Sequence, residues 1–258
     1  MNASPAPAEE TPRHVLKELG FSIRQAGEEL HGTASITPQM HVPGASRLRT
    51  SVLATWADTL VGLLAARVIA PRVPVTLELD VHLYRPAPAT GDLLGIARTV
   101  KAGRSTFVAD VGFTVDGEPL AIANGLFMTA PDPRLRMPSA LSIDMPASDE
   151  RLTVPLAERA GCERREAGTA VLPRSEDGLN ASGTINGGLI ALAAEEAVLS
   201  LAPGDTLRSL SLLYLQAARV GPVVATASLR GGIARAELRD SGNGGRLTGV
   251  ATASTFHG

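Results

Sequence analysis

The sequence predicts an α+β protein built from two copies of one unit, each an antiparallel sheet wrapped around a single central helix. Three observations carry this. The order of patterns in the first half returns in the second half. The strand-like segments alternate with period two: Val75, Leu77, Leu79, Val81 and Leu83 are interleaved with Thr76, Glu78, Asp80, His82 and Tyr84. Each half also holds one long apolar helical segment, and that of the first half is apolar or small on every side but for Asp58, the mark of a buried helix.

The first copy opens with 32-GTASITP-38, a short β-prone run, followed by a helix over 49–68. On a helical wheel Val52, Leu53, Trp56, Leu60 and Leu63 share one face, and Ala54, Thr55, Asp58, Val61 and Gly62 lie opposite. Strands are expected over 73–87, 92–100 and 104–115, the last two joined at Ala102-Gly103. Asp116-Gly117 suits a two-residue hairpin into a strand over 119–128. The second copy has 168-GTAVLP-173, a helix near 185–201, and strands near 206–217, 221–230, 233–240 and 246–256. GTA at both starts, Tyr84 with Tyr214, and Gly91 with Gly221 are the shared details. Between the copies, 130-APDPRLRMPSALSIDMPASDE-150 reads as a linker by its prolines and mixed polarity. The expected organisation is a tail with a short helix over 1–27, a first unit over 28–130, a linker over 131–159 and a second unit over 160–258.

With 258 residues, 44% of them hydrophobic, the chain can bury a sizeable core. A net charge of −2 with scattered basic residues gives no electrostatic footprint for nucleic acid. Cys162 stands alone, which leaves no disulfide framework or thiolate zinc cluster. His14, His31, His41, His82 and His257 show no metal-ligand spacing. The N-terminus lacks the basic and apolar regions of a signal peptide. No apolar run is expected to approach the ~20 residues of a membrane span. The expectation is a soluble, cytoplasmic protein.

Two features carry chemistry. From Thr50 to Ala66 the only ionisable side chain is Asp58. A carboxylate on a buried helix costs several kcal/mol unless it is paired or protonated. It is either a structural acceptor for a neighbouring strand or a base or nucleophile in a dry cleft. The second helix places Glu195 and Glu196 at the matching position. The other feature is 180-NASGTINGG-188, where Gly187 and Gly188 start a helix although each costs up to ~1 kcal/mol there. Bare backbone at a helix N-terminus lets a ligand oxygen approach unpaired N–H groups, the physical content of an oxyanion hole. The alternative is a helix start packed closely against the other copy.

The set Asn180, Gly183, Thr184, Asn186, Gly187, Gly188 with the acid Glu195 resembles the helix-start motif of hotdog-fold acyl-CoA thioesterases, in particular the phenylacetyl-CoA thioesterase group. Asn186 departs from it, since relatives often carry histidine there. Asp58 with 59-TLVGLLAARVIAPRVPVT-76, together with 81–94 and 101–113, is similar to the same family. The resemblance implies a tandem double hotdog in which the two halves replace two subunits. Asn180 and Gly187 would come from the second half, and Asp58 and the hydroxyl of Thr76 from the first. The reciprocal site, with Pro43 and Thr50 where asparagine and glycine belong, would leave Glu195 and Thr50 as a degenerate second centre. The implied reaction is hydrolysis of acyl-CoA by an acid acting as base or nucleophile, with no metal or redox cofactor. Gly188, Lys101 and Arg104 are candidates for contact with CoA, and further homo-oligomerisation is expected. A hydratase would need a histidine that neither helix has. A non-catalytic acyl-CoA or acyl-carrier binding protein is the other reading.

Overall fold

The computed structural model describes residues 14–137, 143–180 and 182–257. The first half contributes β1 (Ser22–Ala26), β2 (Glu29–Ser35), α1 (Thr50–Ile69), β3 (Pro74–Leu83), β4 (Asp92–Ala102), β5 (Thr106–Val115) and β6 (Glu118–Thr129). After α2 (Leu156–Arg159), the second half contributes β7 (Glu163–Arg164), β8 (Thr169–Leu172), α3 (Gly187–Leu199), β9 (Thr206–Tyr214), β10 (Val223–Arg230), β11 (Ile233–Asp240) and β12 (Arg246–Phe256). The helix–strand order of one half returns in the other, as the double hotdog requires.

The expected pair of sheets is in fact one sheet of twelve strands, in the order β1-β2-β4-β5-β6-β3-β9-β12-β11-β10-β8-β7. The halves fuse because β3 and β9 pair antiparallel, with Asp80 opposite Ser211 at the centre of the seam. Glu78↔Leu213 on one side of that pair and His82↔Ser209 on the other exchange under a twofold through it. The same twofold relates the bulge of β3 at Leu77 to the bulge of β9 at Arg208. It also corrects one expected equivalence. Tyr214 continues the inward row of Leu210 and Leu212, so its counterpart is Leu83, whereas Tyr84 points outward and is 62% exposed.

Both central helices are wrapped by the sheet and touch each other. Their apolar and small side chains, from Val52 to Leu64 on α1 and from Leu189 to Leu199 on α3, join one core with the inward rows of the strands. α1 has the length and composition to cross a membrane, contrary to the expectation that no run comes near it, but most of it is buried in this core. In the sequence Asp58 interrupts this apolar run. At the β5–β6 hairpin Asp116 and Gly117 have φ of 52° and 84°, the left-handed pair that a twist-matched two-residue turn needs.

The boundary expected at residue 28 falls inside a β-hairpin. β1 pairs with β2 from Ser22↔Thr33 to Ala26↔Glu29, so the first unit starts upstream of it. β1 escaped notice because only Ile23 among its five residues is buried. The segment expected as a linker packs rather than dangles: Met145 pairs with Ile23, and Leu152 and Leu156 are buried. Its residues 138–142 lie outside the described residues.

Candidate active site

The site is built at one end of the β3–β9 seam. α1 carries Asp58 on its inner side, and the next strand brings Thr76 alongside it. The Thr76 hydroxyl donates to Asp58 Oδ1 at 2.8 Å. Burial pushes the Asp58 carboxyl up to about 6, against the lowering effect of the Thr76 hydrogen bond. A carboxylate with that pKa is a base poised near neutrality.

Facing it is the start of α3. Asn186 caps this helix, its Oδ1 accepting the Gly188 N–H at 2.7 Å, and its carbonyl accepts from Leu189 and Ile190. In that first turn the Gly187 N–H has no acceptor among the described residues. A side chain at Gly187 would place its Cβ 3.3 Å from Asp58 Oδ2 and 3.3 Å from the Tyr214 hydroxyl oxygen. Glycine here therefore keeps open a gap walled by two oxygens, with a spare backbone donor beside it. Asp58, Thr76 and Gly187 are brought together as the sequence suggested, from opposite halves of the chain.

Other expected roles change. Gly188 offers no N–H to a ligand, because Asn186 takes it. Its missing side chain serves helix packing instead, since a Cβ would lie 2.2 Å from Thr55 Oγ1 on α1. Asn180 does not present its carboxamide to the gap. Its Oδ1 accepts from the N–H groups of Ser182 and Thr184, and its Nδ2 donates to Thr184 Oγ1 at 2.8 Å. It thus shapes the loop that delivers Asn186, an asparagine turn of the kind that competes with regular structure. That loop is also tied down by the Ile185 N–H, which donates to the Ala218 carbonyl. Asp240, fully buried, holds the following turn through the N–H groups of Arg219, Val220 and Gly221. Lys101 and Arg104 are exposed at the β4–β5 hairpin, three strands from Thr76, or ~14 Å at ~4.8 Å per strand. They do not touch the gap. Among the described residues no group of histidine, cysteine, aspartate and glutamate is placed to hold a metal.

The reciprocal end of the seam is closed. Glu195 stands as far along α3 as Asp58 stands along α1, but its extra methylene carries it across to the opposite helix start. Its Oε1 accepts from the Thr50 and Ser51 N–H groups at 2.9 and 3.3 Å, and its Oε2 accepts from the Ser51 hydroxyl at 2.6 Å. Arg49, where the other end has Asn186, is fully buried and pairs with Glu195 and Glu196. Arg164 completes the cluster on Glu196 at 2.7 Å. Leu207 sits where Thr76 sits, and its carbonyl accepts from the Thr50 hydroxyl at 3.0 Å. The helix-start N–H groups of Thr50 and Ser51, which correspond to the open donor at Gly187, are already taken by Glu195, while Arg49 Nε and Nη2 are buried without a partner.

One residue of the site escaped the sequence reading. Tyr214, the last of β9, donates its hydroxyl to the Gly187 carbonyl at 3.0 Å. Burial, and then the charge of Asp58, raise its phenol well above the usual range, so it stays protonated. The signal is one of parity: Tyr214 shares the inward row of Leu210 and Leu212, whereas Tyr84 lies outward.

Comparison with known proteins agrees with this geometry. Residues 50–122, which run from the start of α1 through Asp58 and Thr76 into β6, match the model of the thioesterase superfamily. A Halobacterium salinarum protein described as a candidate esterase is 32% identical over 124 residues, covering 43% of this chain and 80% of that protein. The chain belongs to the thioesterase superfamily, and thioester hydrolysis is the reaction class this membership defines. Solved structures extend the likeness over both halves. A candidate thioesterase from Novosphingobium aromaticivorans superposes with a TM-score of 0.62 at 20% identity, covering 92% of this chain and 98% of that one. A 12:0-ACP thioesterase from Umbellularia californica gives 0.64 at 12% identity, covering 90% and 99%. An acyl-ACP thioesterase from Bacteroides thetaiotaomicron gives 0.62 at 14% identity, covering 88% and 98%. At these identities the likeness is one of fold.

Proposed function

We propose that the protein hydrolyses acyl-CoA thioesters to the free acid and CoA at one centre assembled from both halves. The observation that supports this most is Asp58, raised to about 6, with its Oδ2 beside Gly187, whose N–H has no acceptor among the described residues. The thioester carbonyl would lie on the Gly187 N–H, where the positive end of α3 stabilises the developing oxyanion. Asp58 Oδ2 serves as base or nucleophile while Thr76 holds Oδ1. Asn180 acts through the loop it shapes.

The thiol carrier brings a phosphate, and basic groups near the seam suit it. Arg72, four residues before Thr76, and Arg219, in the turn beside the α3 loop, both favour the charged form of the Asp132 carboxyl. The backbones of Arg136 and Arg72 form an antiparallel bridge, and Arg134 is ion-paired to Asp132. These four are better placed than Lys101 and Arg104. Two of the structural relatives are named for acyl-ACP, whose thiol arm carries the same phosphate, so the carrier is a matter for the assay. The reaction fits a cytoplasmic enzyme. The exposed outer face of the central strands, with Leu213 on it, suits pairing of two chains.

The test is thiol release from acetyl-, octanoyl-, palmitoyl- and phenylacetyl-CoA by wild type, Asp58→Asn and Glu195→Gln. The reading expects turnover in wild type and Glu195→Gln and its loss in Asp58→Asn. Tight binding of these thioesters without release by the wild type would favour a non-catalytic binder. If Glu195→Gln is the inactive variant, the halves are assigned the wrong way round.

A further inference from the structure

The hydroxyl of Tyr214 lies in the wall of the gap, and its hydrogen is spent on the Gly187 carbonyl. A phenol oxygen whose proton is engaged still has acceptor capacity. Asp58 is arranged in the same way: Oδ1 takes the Thr76 hydrogen bond and Oδ2 is left toward the gap. Both acceptors flank Gly187, each 3.3 Å from the position a Cβ would take there. A water molecule between them would meet two acceptors and would have both hydrogens taken. Its lone pairs would then point away from both oxygens, toward the carbonyl carbon of a thioester held on the Gly187 N–H.

We propose that Tyr214 is a catalytic residue that, together with Asp58 Oδ2, grips the attacking water by both hydrogens and turns its lone pair onto the acyl carbon. The proposal rests on the thioesterase reading above. In the step it describes, the water oxygen bonds to the acyl carbon while one proton passes to Asp58 Oδ2. The tetrahedral intermediate then collapses, the carbon–sulfur bond breaks, and the leaving thiolate takes that proton. The second water hydrogen, held by Tyr214, stays on the new carboxyl group and ionises to solvent. Tyr214 acts throughout as an acceptor, which fits a phenol that stays protonated beside Asp58. The closed end of the seam has Leu83 in this place and cannot hold a water in the same way.

The test compares wild type with Tyr214→Phe on whichever of the four acyl-CoA probes wild type turns over fastest, in water and in water with added methanol. Phenylalanine keeps the ring and removes the oxygen. The expected result is a kcat lower by ~10- to 100-fold with KM within ~2-fold, the loss of one hydrogen bond that matters in the transition state. Methanol has a single O–H and cannot satisfy both acceptors. Wild type should therefore favour acid over methyl ester, and the ester-to-acid ratio should rise several-fold in Tyr214→Phe. A lower kcat with an unchanged ratio would make Tyr214 a support for the α3 turn and overturn the proposal, as would an unchanged kcat. Mass spectrometry of quenched wild-type turnovers needs no variant to fold: an acyl adduct on Asp58 would also overturn the proposal while leaving the thioesterase reading intact. Wild type inactive on all four probes would overturn that reading itself, and the proposal with it.

Discussion

Replacing Asp58 by asparagine should remove activity and yet strengthen the fold at alkaline pH. Burial raises the Asp58 carboxyl from 3.8 to about 6. At ~1.36 kcal/mol per pK unit, that gap is worth up to ~3 kcal/mol. Its sign follows from proton binding. Between those two values the native state holds the proton more tightly than the unfolded chain does, so stability is highest at low pH. It falls as pH rises from about 4 to about 6 and stays lower above that. Asparagine carries no charge to desolvate, and its carbonyl oxygen can still accept from Thr76, with a loss of ~1 kcal/mol for a neutral in place of a charged acceptor. The net expectation is a variant ~2 kcal/mol more stable than wild type at pH 8, a rise in Tm of ~4–8 °C for a chain of this size. Near pH 4 the two should be about equal. Urea unfolding of both proteins between pH 4 and 8 measures this directly. Thiol release should drop by ~10²–10⁴-fold, as for removal of a general base. In the wild type it should rise with pH through about 6 as Asp58 ionises. A stability difference that does not change with pH, or a variant weaker than wild type at pH 8, would refute the claim that Asp58 is held ionised at a cost.

Further outcomes follow from the same contacts. Gly188→Ala drives a methyl group to 2.2 Å from Thr55 Oγ1 and should cost ~1–3 kcal/mol in urea unfolding, because the two central helices must separate. Arg49→Met leaves Glu195 and Glu196 buried without their shared cation and should cost ~3–5 kcal/mol. Turnover at the far end of the seam should change by less than ~2-fold in that variant, because well-separated sites with no shared partners respond independently. Asn180→Asp keeps the two backbone bonds to Ser182 and Thr184, so it should retain more activity than Asn180→Ala. Equal loss in both would mean that the carboxamide touches the substrate after all.

The periodic features were legible because they follow from local geometry. Alternation fixed β3, β4, β5 and β6 and their counterparts to within a few residues, and the all-round apolar character of α1 and α3 marked them as central helices. β1 was invisible because only one of its residues meets the core. Of the candidate site, Asp58, Thr76 and Gly187 could be named from the chain, the first as an isolated acid on a buried helix and the last as a costly glycine at a helix start. Asn180 and Gly188 could be named but not understood. An asparagine before a turn and a glycine before a helix read alike whether they face a ligand, their own loop or a neighbouring helix.

By itself, then, the sequence determined that two similar units pack around two buried helices, and that one helix start and one acid stand apart from the rest. Those conclusions need only periodicity, residue size and the cost of burying charge. Which acid is left beside an open helix start was decided in three dimensions. Asp58 and Glu195 occupy equivalent places, but one methylene lets Glu195 reach the opposite helix start and seal it with Arg49, whereas the shorter Asp58 leaves a gap. The strand register across the β3–β9 seam likewise put Tyr214 inside and Tyr84 outside. Such distinctions depend on contacts between residues far apart in the chain, and no local pattern records them.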